Sequence, residues 1–507
     1  MWQKLLMIVI FVAVTVFVGL YCRKRSGNVG DFVLGNRSVG PWLTAFAYGT
    51  SYFSSVVFVG YAGQFGWNYG VSVLWIGIGN AIIGSLLAWN LLGRRTRVMT
   101  KHLEAATMPD FFSKRYNSKA LKIVASIVIF IFLVPYSASV YKGLSGLFAL
   151  SFGISFNYCI IGIAVLTAIY VIAGGYVATA LNDLIQGIIM VIGISLVIYC
   201  VLDGKGGFMS ALGQLSQFEA EAAPGLAGPF VSIFGPDPLG LLSVVILTSL
   251  GTWGLPQMVH KFYTIKNEKA IHTGTIISTV FALIIAGGSY FIGSFGRLYY
   301  PSGGAPVYDE VVPTMLANAL PDLLIGVVLI LVLSASMSTL SSLVITSSST
   351  FTLDFLKGLF FKDMRPKTQV LIIKALCGAF ILLSVIIALN PNNLITTLMS
   401  ISWGALAGAF LGPFLYGLFW KKATKASVWA SFVVGVGITV ANFFLEFTTP
   451  IAGGALAIVS SFFVVPLVSL ITPRPNKEYV AEIFTCYDET VAVTHRFALK
   501  EDNEDEA

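Results

Sequence analysis

Hydroxyl side chains cluster in one stretch, 333–350, of an otherwise apolar segment. If this stretch is helical, Ser338, Ser341 and Ser342 share one face at positions i, i+3 and i+4. Thr339 lies about 100° further round the helix. Uncharged oxygen ligands on one side of a helix suit a small hard cation. Hydroxyl residues also pack helices together and bond to their own backbone, so the stretch predicts either a cation site or a packing face.

Two charged side chains stand inside apolar segments, where a charge is costly and is a candidate for function. Asp183 could hold a cation in a cavity, or it could cap the start of a helix near the interface. Lys142 could balance a carboxylate on a bound solute, or its stem could extend to the outer interface. Pro135, seven residues before Lys142, is expected to kink the same helix.

Two apolar segments are interrupted by residues that break helices. The segment 47–55 contains Gly, Thr and Ser, and the segment 248–256 contains two Gly and a Pro. Non-helical backbone at membrane depth is tolerated where it lines a cavity or is buried in protein. Because the breaks open two successive blocks of five predicted spans, they indicate a transporter site between inverted repeats. Beside the breaks and Lys142 we place these pocket candidates: Tyr52, Ser54, Tyr136, Lys142, Thr252 and Trp253.

The composition is that of a polytopic membrane protein. The chain has 507 residues, of which 56% are hydrophobic and 11% charged, whereas soluble domains have about 25% charged residues. Apolar runs of about 20 residues can cross a bilayer as helices, which predicts an all-α bundle. We expect about thirteen spans, at 5–22, 41–62, 69–92, 120–150, 157–174, 178–202, 239–260, 274–298, 323–355, 369–390, 394–420, 425–446 and 451–471.

The basic residues predict the orientation of the chain. Of the 31 Lys and Arg residues, 27 fall in the loops after spans one, three, seven, nine and eleven or in the C-terminal tail, if Lys122, Lys374 and Lys425 at the starts of the following spans are included. Cytoplasmic loops carry such an excess. We therefore expect a multi-pass protein of the cell membrane, with its N-terminus outside and its C-terminus in the cytoplasm.

Other classes of function lack their motifs in the sequence. The five cysteines have neither disulfide nor metal spacing, and no nucleotide-binding motif is present. No paired carboxylates, catalytic triad or metal cluster suggests an enzyme. The pI near 9.0 follows from the inner loops and does not indicate nucleic-acid binding. We expect the lipid bilayer, a small solute and a sodium ion as partners. The sequence does not decide whether the protein forms a homo-oligomer.

Several separate motifs stand at 31–41, at 174–186, at 337–339, and at 347–348 with Asp354. They resemble motifs of the sodium/solute symporter family, and of the bacterial proline and pantothenate symporters in particular. The resemblance implies a LeuT-type core of two inverted five-helix repeats with flanking helices. It places the first helix and inner loop at 1–38, the repeats at 39–202 and 239–421, an outer loop at 203–238, two C-terminal helices at 422–472 and a cytoplasmic tail at 473–507.

The resemblance also implies the ligands of a main sodium site. They would be the backbone carbonyls of Thr50, Phe53 and Ala335 together with the hydroxyls of Ser338 and Thr339. Two of these residues belong to the hydroxyl-rich stretch identified above. The resemblance therefore favours the cation site over the packing face.

A second sodium site of some family members would match Asp183, Ser338, Ser341 and Ser342. The sequence leaves open whether one or two ions bind. It departs from the proline carriers at Tyr52, where they carry an aspartate in the broken helix. That difference weakens a proline assignment.

Together these features predict a sodium-coupled symporter that imports a small organic solute by alternating access. A solute with a carboxylate is favoured, such as an amino acid, pantothenate or a monocarboxylate. A proton-coupled carrier of the same fold is the nearest alternative. A channel would need a pore-lining motif, and a transport-derived sensor would need a signalling domain, neither of which is evident in the sequence.

Overall fold

The first half of the protein forms helices that begin with α1 and include the first break. In this computed structural model, the described residues are 2–22, 29–34, 40–266, 268–300, 307–361, 363–390 and 394–492. The helices of this half are α1 (Trp2–Cys22), α2 (Val29–Leu34), α3 (Pro41–Tyr52), α4 (Ala62–Tyr69), α5 (Leu74–Gly79), α6 (Arg94–His102), α7 (Met108–Arg115), α8 (Lys119–Phe152), α9 (Phe156–Asp203) and α10 (Phe208–Leu215).

The second half contains the second break and the hydroxyl-rich helix. Its helices are α11 (Pro238–Val245), α12 (Gly251–Gly254), α13 (Pro256–Tyr263), α14 (Glu268–Gly293), α15 (Tyr308–Ala319), α16 (Asp322–Thr350), α17 (Lys357–Leu359), α18 (Pro366–Ala388), α19 (Ile395–Phe419), α20 (Lys425–Leu445), α21 (Pro450–Ile471) and α22 (Lys477–Ala492).

Long apolar helices confirm the predicted all-helical membrane bundle. Nine helices of the described part are long and apolar enough to span a membrane, or ten if the bent pair α11–α13 is one span. Two further apolar segments, Lys4–Val18 and Phe156–Ile172, are shorter. The predicted number of thirteen spans therefore stays a prediction.

Helical segments with i→i+5 hydrogen bonds lie beside both breaks. π-helical segments cover Val56–Tyr61, Asn80–Leu87, Trp89–Gly93, Ile246–Leu250 and Phe351–Leu356. Single-turn π-bulges occur frequently at functional sites because they redirect side chains and carbonyls. The first of these segments follows the break after α3, and the fourth precedes the break after α12.

The chain turns sharply between α4 and the following helical segments at Gly70. Its φ of 60° and ψ of −138° lie in a region that favours glycine. A Cβ at this position would also overlap the carbonyl oxygen of Phe230. This turn lies at the start of the predicted third span, 69–92.

Helices α19, α20 and α21 pack closely through glycines. A Cβ on Gly435 of α20 would overlap the backbone of Gly408 on α19. A Cβ on Gly412 of α19 would overlap the carbonyl of Ser461 on α21. Small residues allow helix backbones to approach in this way, so the three helices form one tightly packed unit.

The helix α22 begins four residues into the predicted tail and contacts the ends of two other helices, α6 and α7. The guanidinium of Arg95 on α6 lies 4.8 Å from the ring of Tyr487, and that of Arg115 on α7 lies 5.0 Å from the ring of Phe484. The hydroxyl of Tyr479 donates to the carbonyl of Lys114. The acidic end of the tail lies outside the described residues.

Candidate functional site

The first break exposes backbone carbonyls at the C-terminal end of α3. Phe53 has extended backbone, with φ of −95° and ψ of 129°, and a new helical segment begins only at Val56. The last carbonyls of α3 therefore cannot all pair within their own helix. The C-terminal end of a helix also carries partial negative charge, which favours a cation there.

The hydroxyl face of α16 contacts these carbonyls directly. The Ser338 hydroxyl donates to the carbonyl oxygens of Thr50 at 2.9 Å and Ala335 at 3.0 Å. The Thr339 hydroxyl lies 3.1 Å from the carbonyl oxygen of Phe53 and 3.2 Å from that of Ala335. All five residues that the resemblance implies for the main ion site are thus brought together, although 282 residues or more separate the two groups in sequence.

The spacing of these oxygens suits a small cation after a slight expansion. Ligands at right angles around a calcium-sized ion, at 2.3–2.6 Å, lie about 3.3–3.7 Å apart. The observed separations in the cluster are 2.9–3.4 Å, a few tenths of an ångström tighter. Each hydroxyl has one proton and two lone pairs, so it can rotate its proton away and present oxygen to an ion. The arrangement can therefore bind a cation without a charged ligand.

The second predicted set of oxygens is only partly assembled. The Ser341 hydroxyl donates to the Ser338 carbonyl at 2.8 Å, within α16. The Ser342 hydroxyl lies 2.8 Å from the Ser51 hydroxyl of α3. Asp183 is fully buried, and neither of its carboxylate oxygens accepts a hydrogen bond from a described residue. The hydroxyl of Tyr170 on α9 donates to the carbonyl of Met337 and closes the group on one side.

A buried ammonium group contacts this second set of oxygens. The Nζ of Lys261 on α13 donates to the Ser342 hydroxyl at 3.0 Å. The same ammonium lies 5.1 Å from the centre of the Tyr176 ring. Lys261 is also the opposite charge that acts on Asp183. Its side chain is only 2% exposed, so this charge belongs to the interior.

Sequence reasoning missed Lys261 and Ser51 as members of the site. The apolar run predicts that the seventh span ends at residue 260, which would put Lys261 in the inner loop. The structure corrects this, because α13 continues to Tyr263 and buries Lys261. A lysine five residues after the helix-breaking Pro256 was the available signal. Ser51 lies beside Thr50 in the first broken segment, and its hydroxyl was equally visible in the sequence.

The second break lies at Leu255, which has extended backbone and separates α12 from α13. The helical axes on its two sides differ by 44°. Just before it, the Thr252 hydroxyl lies 3.2 Å from the carbonyl oxygen of Gly84, and the Trp253 indole donates to Ile83 at 2.9 Å. Both pocket candidates are therefore bonded to the π-helical segment Asn80–Leu87, which ties the second break to the first half of the chain.

Aromatic rings from three elements meet beside α12. The ring of Tyr136 on α8 packs edge-on against Trp403 of α19, with 5.9 Å between ring centres. A Cβ on Gly251 of α12 would lie 2.9 Å from a Trp403 ring carbon. Tyr61, in the π-helical segment after the first break, lies beside Ser400 of α19. Of the predicted pocket candidates, Tyr136 is the one that reaches this group.

The remaining candidates lie in other surroundings. The Ser54 hydroxyl accepts from the Val56 backbone N–H at 3.2 Å, within the first break. The side chain of Tyr52 falls outside the described part of the structure. The Lys142 ammonium donates to the Asn390 carbonyl at 3.0 Å, and Asp309 of α15 is an opposite charge that acts on it. Lys142 thus contacts the end of α18 and the neighbourhood of α15 rather than the broken helices.

A second charged cluster lies near the predicted cytoplasmic ends of α7, α8 and α16. The Lys122 ammonium pairs with Asp110 at 2.7 Å and with Asp354 at 3.2 Å. The Thr107 hydroxyl donates to Asp354 at 2.6 Å. Asp354 is 1% exposed, so the cluster holds a buried carboxylate at this end of the helices.

Comparison with known proteins places the chain among transporters. The family model described as the sodium:solute symporter family matches residues 32–435. Over 502 residues, the chain is 27% identical to a sodium/proline symporter of Staphylococcus aureus strain USA300, covering 94% of this chain and 93% of that protein. Symporters of the same description and identity occur in other strains of that species.

Solved transporter structures share the fold at low sequence identity. A substrate-bound, outward-open Na⁺-coupled sialic acid symporter, described as revealing a novel Na⁺ site, matches with a TM-score of 0.73 and 17% identity, over 94% of this chain and 99% of that one. Mhp1, a nucleobase-cation-symport-1 family transporter in a closed conformation, matches with a TM-score of 0.52 and 13% identity, over 90% and 98%. These neighbours confirm the predicted LeuT-type fold class.

Proposed function

Because the chain belongs to the sodium:solute symporter family, we propose that it imports a small carboxylate-bearing solute together with sodium. Its relatives include symporters described as sodium-coupled, for proline and for sialic acid. The family and the fold are those of transporters, not of enzymes. Sodium is cargo here, co-transported with the solute.

The observation that supports a sodium site best is the contact between α16 and the break after α3. Sodium would bind the hydroxyls of Ser338 and Thr339 and the carbonyls of Thr50, Phe53 and Ala335, which already lie within hydrogen-bond distance of those hydroxyls. An ion at this point joins the two halves of the chain. Its binding therefore stabilises one relative position of the halves.

Coupling follows from that shared position. If sodium and solute both bind the same conformation better, each tightens the other by the same factor. An electrical potential adds about 2.3 kcal/mol per charge per 100 mV to the driving force. After both bind, the two halves move and expose the site to the cytoplasm.

For the solute we propose the space beside the aromatic group of Tyr136, Trp403 and Tyr61. Gly251, at the second break, borders the same ring of Trp403. Broken helices offer carbonyls and N–H groups to a solute at this depth. We keep Tyr52, Ser54, Thr252 and Trp253 as neighbours of the breaks that shape this space. We keep Lys142 as a cation near the outer approach to it.

We also propose the orientation predicted by the basic residues. The N-terminus would lie outside and the C-terminus in the cytoplasm of a multi-pass protein of the plasma membrane. The cluster of Lys122, Asp110 and Asp354 would then lie on the cytoplasmic side. Its burial supports a closed inner end, which alternating access requires while the site faces outward.

Ligand-dependent stabilisation of the purified protein tests this proposal. Thermal unfolding would be measured with amino acids, pantothenate, small monocarboxylates, sugars and sialic acid, each in sodium and in choline salts. A ligand that binds the folded state raises its stability by mass action. A carboxylate-bearing solute that stabilises only in sodium is the expected result.

Two other outcomes would change the assignment. Stabilisation by an uncharged sugar alone would contradict the carboxylate preference and leave symport intact. Stabilisation that ignores sodium but depends on pH would contradict sodium coupling and favour the proton-coupled alternative.

A further inference from the structure

The ammonium group of Lys261 contacts one oxygen of the second predicted ion site. Its Nζ is 3.0 Å from the Ser342 hydroxyl, and that hydroxyl lies 2.8 Å from Ser51 at the end of α3. Lys261 belongs to α13, the second half of the second broken span. The ammonium therefore joins three elements: α13, α16 and the end of α3.

The carboxylate of Asp183 needs a positive charge close by. It is fully buried, and no described residue donates a hydrogen bond to it. Burying a carboxylate is costly unless an opposite charge or a bound cation compensates for it. Lys261 acts on Asp183 as the opposite charge, and it is itself buried. One fixed positive charge thus already faces the one negative charge of this group.

A sodium ion on the same oxygens would compete with this ammonium. An ion 2.3–2.6 Å from the Ser342 oxygen, the distance typical of a calcium-sized cation, would lie at most about 5.6 Å from Nζ. With an effective dielectric constant of about 20, the repulsion at that distance weakens ion binding about a hundredfold or more. The residues at the second position therefore fit a sodium ion poorly while Lys261 stays in place.

We propose that the ammonium of Lys261 takes the place of a second sodium ion among Asp183, Ser341 and Ser342, so that one sodium accompanies each solute. This inference rests on the proposed function, because it specifies the ion number of the same site. The tethered cation moves with α13 and cannot dissociate. It holds the broken helix against α16 next to the exchangeable ion at Ser338 and Thr339, and it is a positioning residue for that ion.

Equilibrium binding of radiolabelled sodium to the purified full-length protein tests the ion number directly. The wild type should bind one sodium ion per chain. Lys261→Arg keeps a positive charge and should also bind one. Lys261→Met removes the charge and should bind two, since Asp183 then requires a mobile cation. The double variant Lys261→Met with Asp183→Asn should return to one.

The results separate this inference from the proposed function. Two ions on the wild type, or one ion on Lys261→Met with unchanged affinity, would overturn the role of Lys261 and leave sodium symport standing. No saturable sodium binding by the folded wild type would refute sodium coupling itself. A count of two ions on the wild type or on Lys261→Arg would overturn the inference even if Lys261→Met does not fold.

Discussion

Removing the Ser338 hydroxyl should weaken sodium binding far more than it weakens the fold. Ser338 is 1% exposed, and its hydroxyl donates to the carbonyl oxygens of Thr50 at 2.9 Å and Ala335 at 3.0 Å. In Ser338→Ala the proposed ion loses one of five oxygen ligands. The backbone of α16 keeps its own hydrogen bonds, so the helix should form normally.

The magnitude follows from the charge of the ion. An interaction between a hydroxyl and a charged partner contributes about 1.5–3 kcal/mol, which corresponds to about 10- to 150-fold weaker sodium binding. The loss to the sodium-free fold is about 1 kcal/mol, because one donated proton is shared between two carbonyls. Sodium affinity and stability should therefore separate clearly in this variant.

Sodium titrations of thermal stability, with and without a bound solute, measure both quantities in one experiment. Ser384→Ala serves as the matched control, since it removes a buried hydroxyl from α18. Thr339→Ser keeps an oxygen at the neighbouring position and should bind sodium nearly as well as the wild type. Sodium affinity in Ser338→Ala within about threefold of the wild type, with an intact fold, would refute the assignment, since such a change is under 1 kcal/mol.

Three further predictions concern the rest of the molecule. Lys122→Met should cost about 3–5 kcal/mol of stability, because it leaves Asp354 buried without its ion pair; Lys119→Met, on the exposed start of the same helix, should cost little, and equal thermal shifts would contradict the buried role. Burial raises the pKa of Asp309 to about 6, so between about pH 4 and 6 the folded state holds the proton while the unfolded chain releases it. The free energy of unfolding should therefore fall as pH rises across that range, by up to about 2–3 kcal/mol. In thermal melts at a series of pH values, Asp309→Asn should remove this dependence. Gly70→Ala should cost more than about 1 kcal/mol, because its φ is positive and a Cβ meets backbone; a melting temperature equal to the wild type would show that the turn can relax.

The sequence placed one side of the proposed cation site and left the other side to the tertiary fold. Helical spacing alone placed Ser338, Ser341 and Ser342 on one face, and the structure keeps that face buried. The opposing carbonyls of Thr50 and Phe53 could not come from spacing, because contacts 286 and 288 residues apart depend on the tertiary fold. They followed only from the family resemblance.

Charges were harder to place than hydroxyls. Lys261 stands at the end of an apolar run, and hydropathy cannot tell a buried lysine from one in a loop. Lys142 stands inside a run, yet its ammonium reaches the Asn390 carbonyl near the end of α18. The long flexible stem of Lys142 moves its charge away from its Cα, whereas Lys261 is buried because α13 continues past it. The prediction of span number met a related limit, since turns such as Gly70 and breaks such as Phe53 divide apolar runs irregularly.

The glycine contacts among α19, α20 and α21 also provide a fixed frame for spectroscopy. Because the backbones of Gly435 and Gly408 touch, these helices cannot slide past one another without losing that fit. A pair of spin labels on the exposed faces of α20 and α21 should therefore report one narrow distance under every ligand condition. A pair that joins α20 to the exposed positions Ile276 or Val280 of α14 should report two distances whose weights shift with sodium. The constant distance of the first pair serves as the reference for the second pair. The transport cycle can then be measured as a change in the populations of two conformations.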